Sequence, residues 1–236
     1  MDGLENAARF AIQPNMWGFC GEDASQVILR NLVSEKELDY DLVRETLCNH
    51  GFPHLNAFLR AISQTSGLDM FDEHVVESYW LGEDLTEIAA DNAGEALVDQ
   101  YEKQLPGGFA KGLEKQLPEK LYLTHLSQVI LIAAADYENA EKENRINNCM
   151  VAYGKVIALD TNNAKASVER EIINVKNDGK YEVNSRKQEV RIDPDLTHGL
   201  NIGNDIAVHL GYLAAKLTQN QSERLRFWTR KVAESI

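Results

Sequence analysis

Apolar residues recur at helical spacing through the first half of the chain. Leu4, Ala7, Ala8 and Ala11 share one face of an α-helix, and so do Ala24, Val27, Ile28 and Leu32 behind the candidate N-cap Asp23. Leu55, Phe58, Leu59 and Ile62 form a third stripe that opens just after Pro53. The spacing predicts one longer helix over Asp84–Gln104, stopped by the breaker Leu105-Pro106-Gly107-Gly108. Cys48, followed by Asn49-His50-Gly51, reads as a helix C-terminus, because imidazole suits the negative end of the helix dipole and glycine suits a left-handed cap. Short helices joined by tight turns point to a compact bundle.

The period changes after Pro118. Leu121–Leu131 fits a strand or a short helix equally, and Ala133–Asn148 is polar enough to read as a connector or an exposed helix. From Met150 onward the pattern is β. Val151–Leu159 is one strand; Ala166–Lys176 and Tyr181–Ile192 flank Asn177-Asp178-Gly179-Lys180, where Asp-Gly tolerates the positive φ angles of a tight turn. Asp205–Leu210 is a further strand. A helix with the stripe Leu225, Trp228 and Val232 ends the sequence, and Thr218 with Gln221 forms a capping box at its start. The expected fold class is α+β: a helical bundle over 1–118, a connector over 119–147 with room for one strand, and a small β-barrel with a terminal helix over 148–236.

Composition narrows the partners. Of 236 residues, 44% are hydrophobic, enough for a packed core, and the net charge is −13. Such a surface repels phosphate backbones, so nucleic acid is not expected as a partner. The longest apolar run, Val129–Ala135, is too short to cross a bilayer, and Met1-Asp2-Gly3-Leu4-Glu5 has neither the basic stretch nor the apolar segment of a signal peptide. No membrane role and a cytoplasmic location are therefore expected. The three cysteines, Cys20, Cys48 and Cys149, form no disulfide framework and no Cys-x-x-Cys pair, and are expected as thiols. Motifs of serine hydrolases, nucleotide-binding loops, dinucleotide folds and zinc peptidases are all missing.

Two stretches carry a resemblance. Asn148-Cys149-Met150-Val151-Ala152-Tyr153-Gly154-Lys155-Val156-Ile157-Ala158-Leu159-Asp160 and Gly203-Asn204-Asp205-Ile206-Ala207-Val208-His209-Leu210-Gly211-Tyr212 (continuing to Leu217) resemble the opening and closing segments of the hydrogenase-maturation chaperones, the HypC/HupF family. The likeness covers residues 148–236 and implies an OB-like, HypC-like barrel. It implies a non-catalytic assembly factor that handles iron bearing cyanide and carbon monoxide. The implied partners are a maturation scaffold and the large subunit of a nickel–iron hydrogenase. The family's opening cysteine falls on Cys149 and its Val-His-x-Gly histidine on His209, which the resemblance makes a metal-ligand pair. A soft thiolate and an imidazole both suit iron, and two ligands leave positions open for cargo. The chain departs from the family in two places: Cys149 is internal rather than N-terminal, and Asn204 stands before Asp205 where the family has glycine.

Phe10-Ala11-Ile12-Gln13-Pro14-Asn15-Met16-Trp17-Gly18-Phe19-Cys20-Gly21 and Val75-Val76-Glu77-Ser78-Tyr79-Trp80-Leu81-Gly82 resemble DUF6390, an uncharacterised family with the same helical front and barrel back. Cys20, between Gly18 and Gly21, is a weaker metal candidate; the plainer reading is that Trp17 and Phe19 anchor its loop to the core. His125 is a second weaker candidate. Two other functions compete with iron handling: a metal-free protein-interaction module, and a cysteine-dependent enzyme using Cys20 or Cys149 with a histidine.

Overall fold

The three apolar stripes become helices because each lets one face of the chain leave water while the backbone bonds to itself. The computed structural model describes residues 3–22, 25–34, 39–49, 51–105, 108–194 and 196–236. Its helical part runs α1 (Gly3–Met16), α2 (Ser25–Val33), α3 (Tyr40–Asn49), α4 (Pro53–Ser66), α5 (Glu73–Trp80), α6 (Asp84–Ile88), α7 (Ala93–Gln104) and α8 (Phe109–Glu114). Leu4, Ala7, Ala8 and Ala11 are buried, as are Leu55, Phe58, Leu59 and Ile62, with Pro53 in the first turn of α4. On α2 the buried face is rotated from the expected one: Leu29, Leu32 and Val33 point inward and Val27 is exposed. Asp23, Ala24, His50, Pro106 and Gly107 lie outside the described residues.

The single helix expected over Asp84–Gln104 is broken into α6, a 3₁₀ turn at Ala89–Asn92, and α7. Asp91 and Asn92 compete with the helix for backbone hydrogen bonds, and Asn92 leaves helical geometry at φ −124°, ψ 12°. Between 119 and 147 the expected connector is helical and contains no strand: α9 (His125–Gln128) runs into a π-helical turn (Val129–Ala133), and α10 (Asn139–Cys149) follows. Cys149 therefore ends a helix instead of opening a strand.

All strands of the described residues lie between 152 and 216: β1 (Ala152–Asp160), β2 (Lys165–Val175), β3 (Tyr181–Arg191), β4 (Asp205–His209) and β5 (Tyr212–Lys216). Their order is β1-β2-β3-β5-β4, and β4 pairs back onto β1, closing a five-stranded barrel. The seam is short, one parallel bridge between Arg191 and Tyr212. Val156, Ala166, Val168, Val190, Ile206, Val208 and Leu213 fill the interior. The β2–β3 hairpin closes around Asn177-Asp178-Gly179, with only Gly179 taking a positive φ, 83°. β5 is a strand of its own beyond the one expected over Asp205–Leu210. That helix, α11 (Gln219–Ser235), starts at the capping box Thr218/Gln221.

One apolar core joins the two parts. It runs from Leu4 and Phe10 through Phe58, Tyr79 and Trp80 to Val151, Ala207, Ala214 and Leu225. An ion pair reinforces the contact: Arg224 on α11 binds Glu77 of α5 and reaches Glu83 at 3.2 Å. Within the barrel part, Arg226 and Arg230 hold α11 to buried Glu171 on β2.

A thiol–imidazole cavity between the helices and the barrel

At the mouth of the barrel, against α1, α9 and α10, lies a cavity of about 370 Å³ whose walls include Cys20, His54, His125, Arg145, Cys149 and His209. The four residues singled out as metal candidates thus share one wall system, although they come from four separate segments. A shallower cleft of about 440 Å³ adjoins it, sharing Phe19, Tyr137, Arg145, Cys149 and Leu210 and bordered by Trp17 and Gly211.

Each segment has a local reason to be there. Cys20 sits in a loop folded back on the end of α1: the Phe19 and Cys20 amides reach Pro14 O, and the Asn15 side chain donates to Cys20 O and Glu22 O, both at 2.9 Å. The loop is therefore clamped by Asn15. Trp17 and Phe19 do not anchor it; they are 51% and 54% exposed, since their rings stand at the cavity rim. Thr124 caps α9, its hydroxyl accepting from Ser127 N, and this puts His125 in the first turn. The π-turn that follows adds one residue to a helical turn and brings Val129, Ile132 and Ala133 to the wall. α10 supplies Arg145 and Cys149 one turn apart.

His209 ends β4, and Leu210-Gly211 turn the chain into β5. Leu210 takes φ 51° and Gly211 φ 77°. A two-residue turn with both φ values positive normally selects Asn-Gly. Leucine there is strained, and its side chain forms cavity wall in return. A π-turn and a strained hairpin residue thus border the same space.

The imidazoles are deeply buried and differ in tautomer. His209 Nδ1 lies 3.1 Å from Phe10 O; a carbonyl only accepts, so Nδ1 carries the proton and the neutral ring keeps its lone pair on Nε2. His125 is the reverse: Val151 N donates to its Nδ1 at 3.4 Å, which leaves the proton on Nε2. The rings meet edge to face at 5.0 Å, and Trp80 lies 4.7 Å from His125. Burial pushes His209 down to about 4, against the carbonyls of Phe10 and Cys149, which favour the charged form. Burial also holds His125 well below the usual imidazole range, with His209 adding to the effect. Both are neutral at pH 7, the form that ligates metals.

The thiols move the other way. Burial, and then the neighbouring Cys149, push Cys20 up to about 11; burial raises Cys149 despite the nearby Arg145 cation. Both are thiols at neutral pH, which works against a thiolate nucleophile. Among the described residues no three His, Cys, Asp or Glu side chains stand close enough to hold one metal ion. Cys48 lies outside the cavity, near Arg44 and Arg60. His54 does line it, with Nδ1 3.0 Å from Tyr101 OH; sequence reading had given His54 no role, and Arg145 and Leu210 also went unremarked. For His54, Pro53 marked the helix start and nothing marked its direction.

Fold and site define an α+β protein in which a helical bundle and a closed five-stranded barrel enclose a thiol–imidazole cavity. The chain belongs to DUF6390, a family of unknown function, whose profile matches residues 1–236. No curated protein and no solved structure matches the chain significantly. The likeness to hydrogenase chaperones therefore rests on the two motif stretches around Cys149 and His209. Among the described residues no helix is long and apolar enough to cross a membrane.

Proposed function

We propose that this protein is a non-catalytic assembly factor related to the nickel–iron hydrogenase chaperones, receiving an iron centre, or the precursor that carries one, at the cavity of Cys149 and His209. The observation behind this reading is the convergence of those two residues, from α10 and β4, on one cavity. The closed barrel, its final hairpin and the terminal helix follow the order that a HypC-like, OB-like fold requires. His209 has the backing of a metal ligand: its Nδ1 proton is held by a main-chain carbonyl, which orients the ring. Cys149 loses its proton when a soft metal arrives. Cys20 and His125 line the same cavity and are candidates for contacts with cargo rather than for a resident cage.

The test is isolation without oxygen from cells assembling a nickel–iron hydrogenase. Iron and infrared bands of bound cyanide and carbon monoxide are expected on the wild type. Cys149→Ser abolishes them, because a hydroxyl keeps its proton and is a poor ligand for soft iron. His209→Ala weakens them and Cys48→Ser leaves them unchanged. If wild type and Cys149→Ser are equally metal-free yet retain the same protein partner, the barrel is a docking module and the iron reading fails.

A further inference from the structure

We propose that the cavity beneath the Trp17–Cys20 loop binds a small organic monocarboxylate, with its carboxylate on Arg145 and its apolar body against Phe19 and Leu210. This goes beyond the assembly reading and stands or falls without it, since it needs neither metal nor partner protein.

Arg145 is the cation among the described residues of the wall. Its guanidinium is held in place before any ligand arrives: it lies 4.9 Å from the Tyr137 ring centre, and Nη2 donates to Tyr137 OH at 3.0 Å. Its Nε is buried with no hydrogen-bond partner. Asp136, on the same wall, and Glu141, on the adjoining cleft, are exposed, and among the described residues Arg145 forms no ion pair with either. A half-buried guanidinium fixed against a ring, bordering a cavity and with no carboxylate partner among the described residues, is complementary to a carboxylate.

Three further groups of the lining are donors. His125 presents Nε2–H, because its Nδ1 accepts from Val151 N. Cys20 and Cys149 carry S–H donors. An ionised carboxylate only accepts, so these three donors suit it.

The charge of the ligand follows from what surrounds it. Among the described residues one cation, Arg145, lines the cavity, Asp136 stands on its wall, and the whole chain carries −13. A dianion such as phosphate is disfavoured there, whereas one negative charge is balanced by Arg145. Pro14, Phe19, Val129, Ile132, Ala133 and Leu210 supply apolar wall, and about 370 Å³ is at the lower end of small-molecule sites. The strained Leu210 places a branched side chain where the preferred turn residue, asparagine, would put an amide.

The test titrates the metal-free full chain with monocarboxylates of increasing size, from propionate to phenylacetate and indoleacetate, each beside its neutral amide. Thermal melting and amide NMR shifts are the readouts. At least one acid is expected to raise the melting temperature and shift the amides of residues around Cys20, Arg145 and Leu210, while its amide binds about tenfold or more weakly. Arg145→Gln removes the difference between acid and amide; Arg145→Lys keeps part of it; Arg44→Gln, at a surface arginine paired with Asp69, keeps all of it. The proposal is overturned if no acid binds, if amides bind as well as acids, or if inorganic phosphate alone gives the same response. The acid–amide comparison on the wild type decides the matter even if Arg145→Gln fails to fold.

Discussion

His209 illustrates how one side chain can join two halves of a molecule and set a pH limit on the fold. It leaves β4, lies 1% exposed, and donates to the carbonyl of Phe10 on α1. Its pKa is about 4 in the folded protein, depressed chiefly by burial, against about 6.5 in an unfolded chain. Between those values the unfolded chain binds a proton that the native state refuses, so stability rises with pH across the window. It is complete above about 6.5 and is lost as pH falls toward 4, by roughly 3 kcal/mol if His209 acted alone. His125, shifted in the same direction, steepens the loss. Urea unfolding of the metal-free protein from pH 7.5 to 4 is expected to show this slope, and His209→Gln to flatten it; an unchanged slope in the variant would mean that another group governs the acid limit. Cys149 and His209 drew notice because they sit in two ordered motifs, and Cys20 through its flanking glycines; all three line the cavity. Arg145 was not legible. It lies in a polar helix where charge usually means solvent, and only the Tyr137 ring and the cavity single it out.

At the scale of elements, α11 carries the clearest packing test. Leu225 and Trp228 are buried, as the stripe of that helix predicts. What the stripe does not show is the receiving surface. Trp228 packs on Gly82, just beyond α5, where an added Cβ would lie 2.1 Å from its Cδ1 and where φ is +76°. Trp228→Ala is expected to cost about 3–5 kcal/mol. Gly82→Ala is expected to cost roughly 2–4 kcal/mol, from left-handed strain and overpacking together. In chemical denaturation the double variant should fall short of the sum, because removing the indole removes the clash. Strict additivity would show that the two sites do not share a contact. The helix stripes, the β2–β3 hairpin and the Thr218 cap were readable because each is a local pattern. The break in Asp84–Gln104, the rotated face of α2 and strand β5 were not, because each depends on what packs alongside. β5 shows why: Leu210-Gly211 is an unusual dipeptide for a two-residue turn, and only closure of the barrel onto Arg191 rewards it.

For the whole molecule, the shared core is the deciding feature. Ala207, Ala214, Ala215 and Leu225 of the barrel part pack in the same cluster as Leu4, Phe10 and Trp80 of the helical part. Far-UV circular dichroism and tryptophan fluorescence are therefore expected to report one coincident unfolding transition. Two separated transitions would show that bundle and barrel fold independently. Local periodicity and turn chemistry determined the order of helices before strands, the closing helix, and most of the faces that pack inward, since those signals act over a few residues. Motif order singled out Cys149 and His209, and both line one cavity. Tertiary structure alone decided the cavity, because its walls come from α1, α4, α9, α10 and β4, and no spacing along a chain records which segments will face one another. It also decided the chemical state of the walls: neutral imidazoles and protonated thiols are products of burial, which the sequence of an isolated segment does not contain.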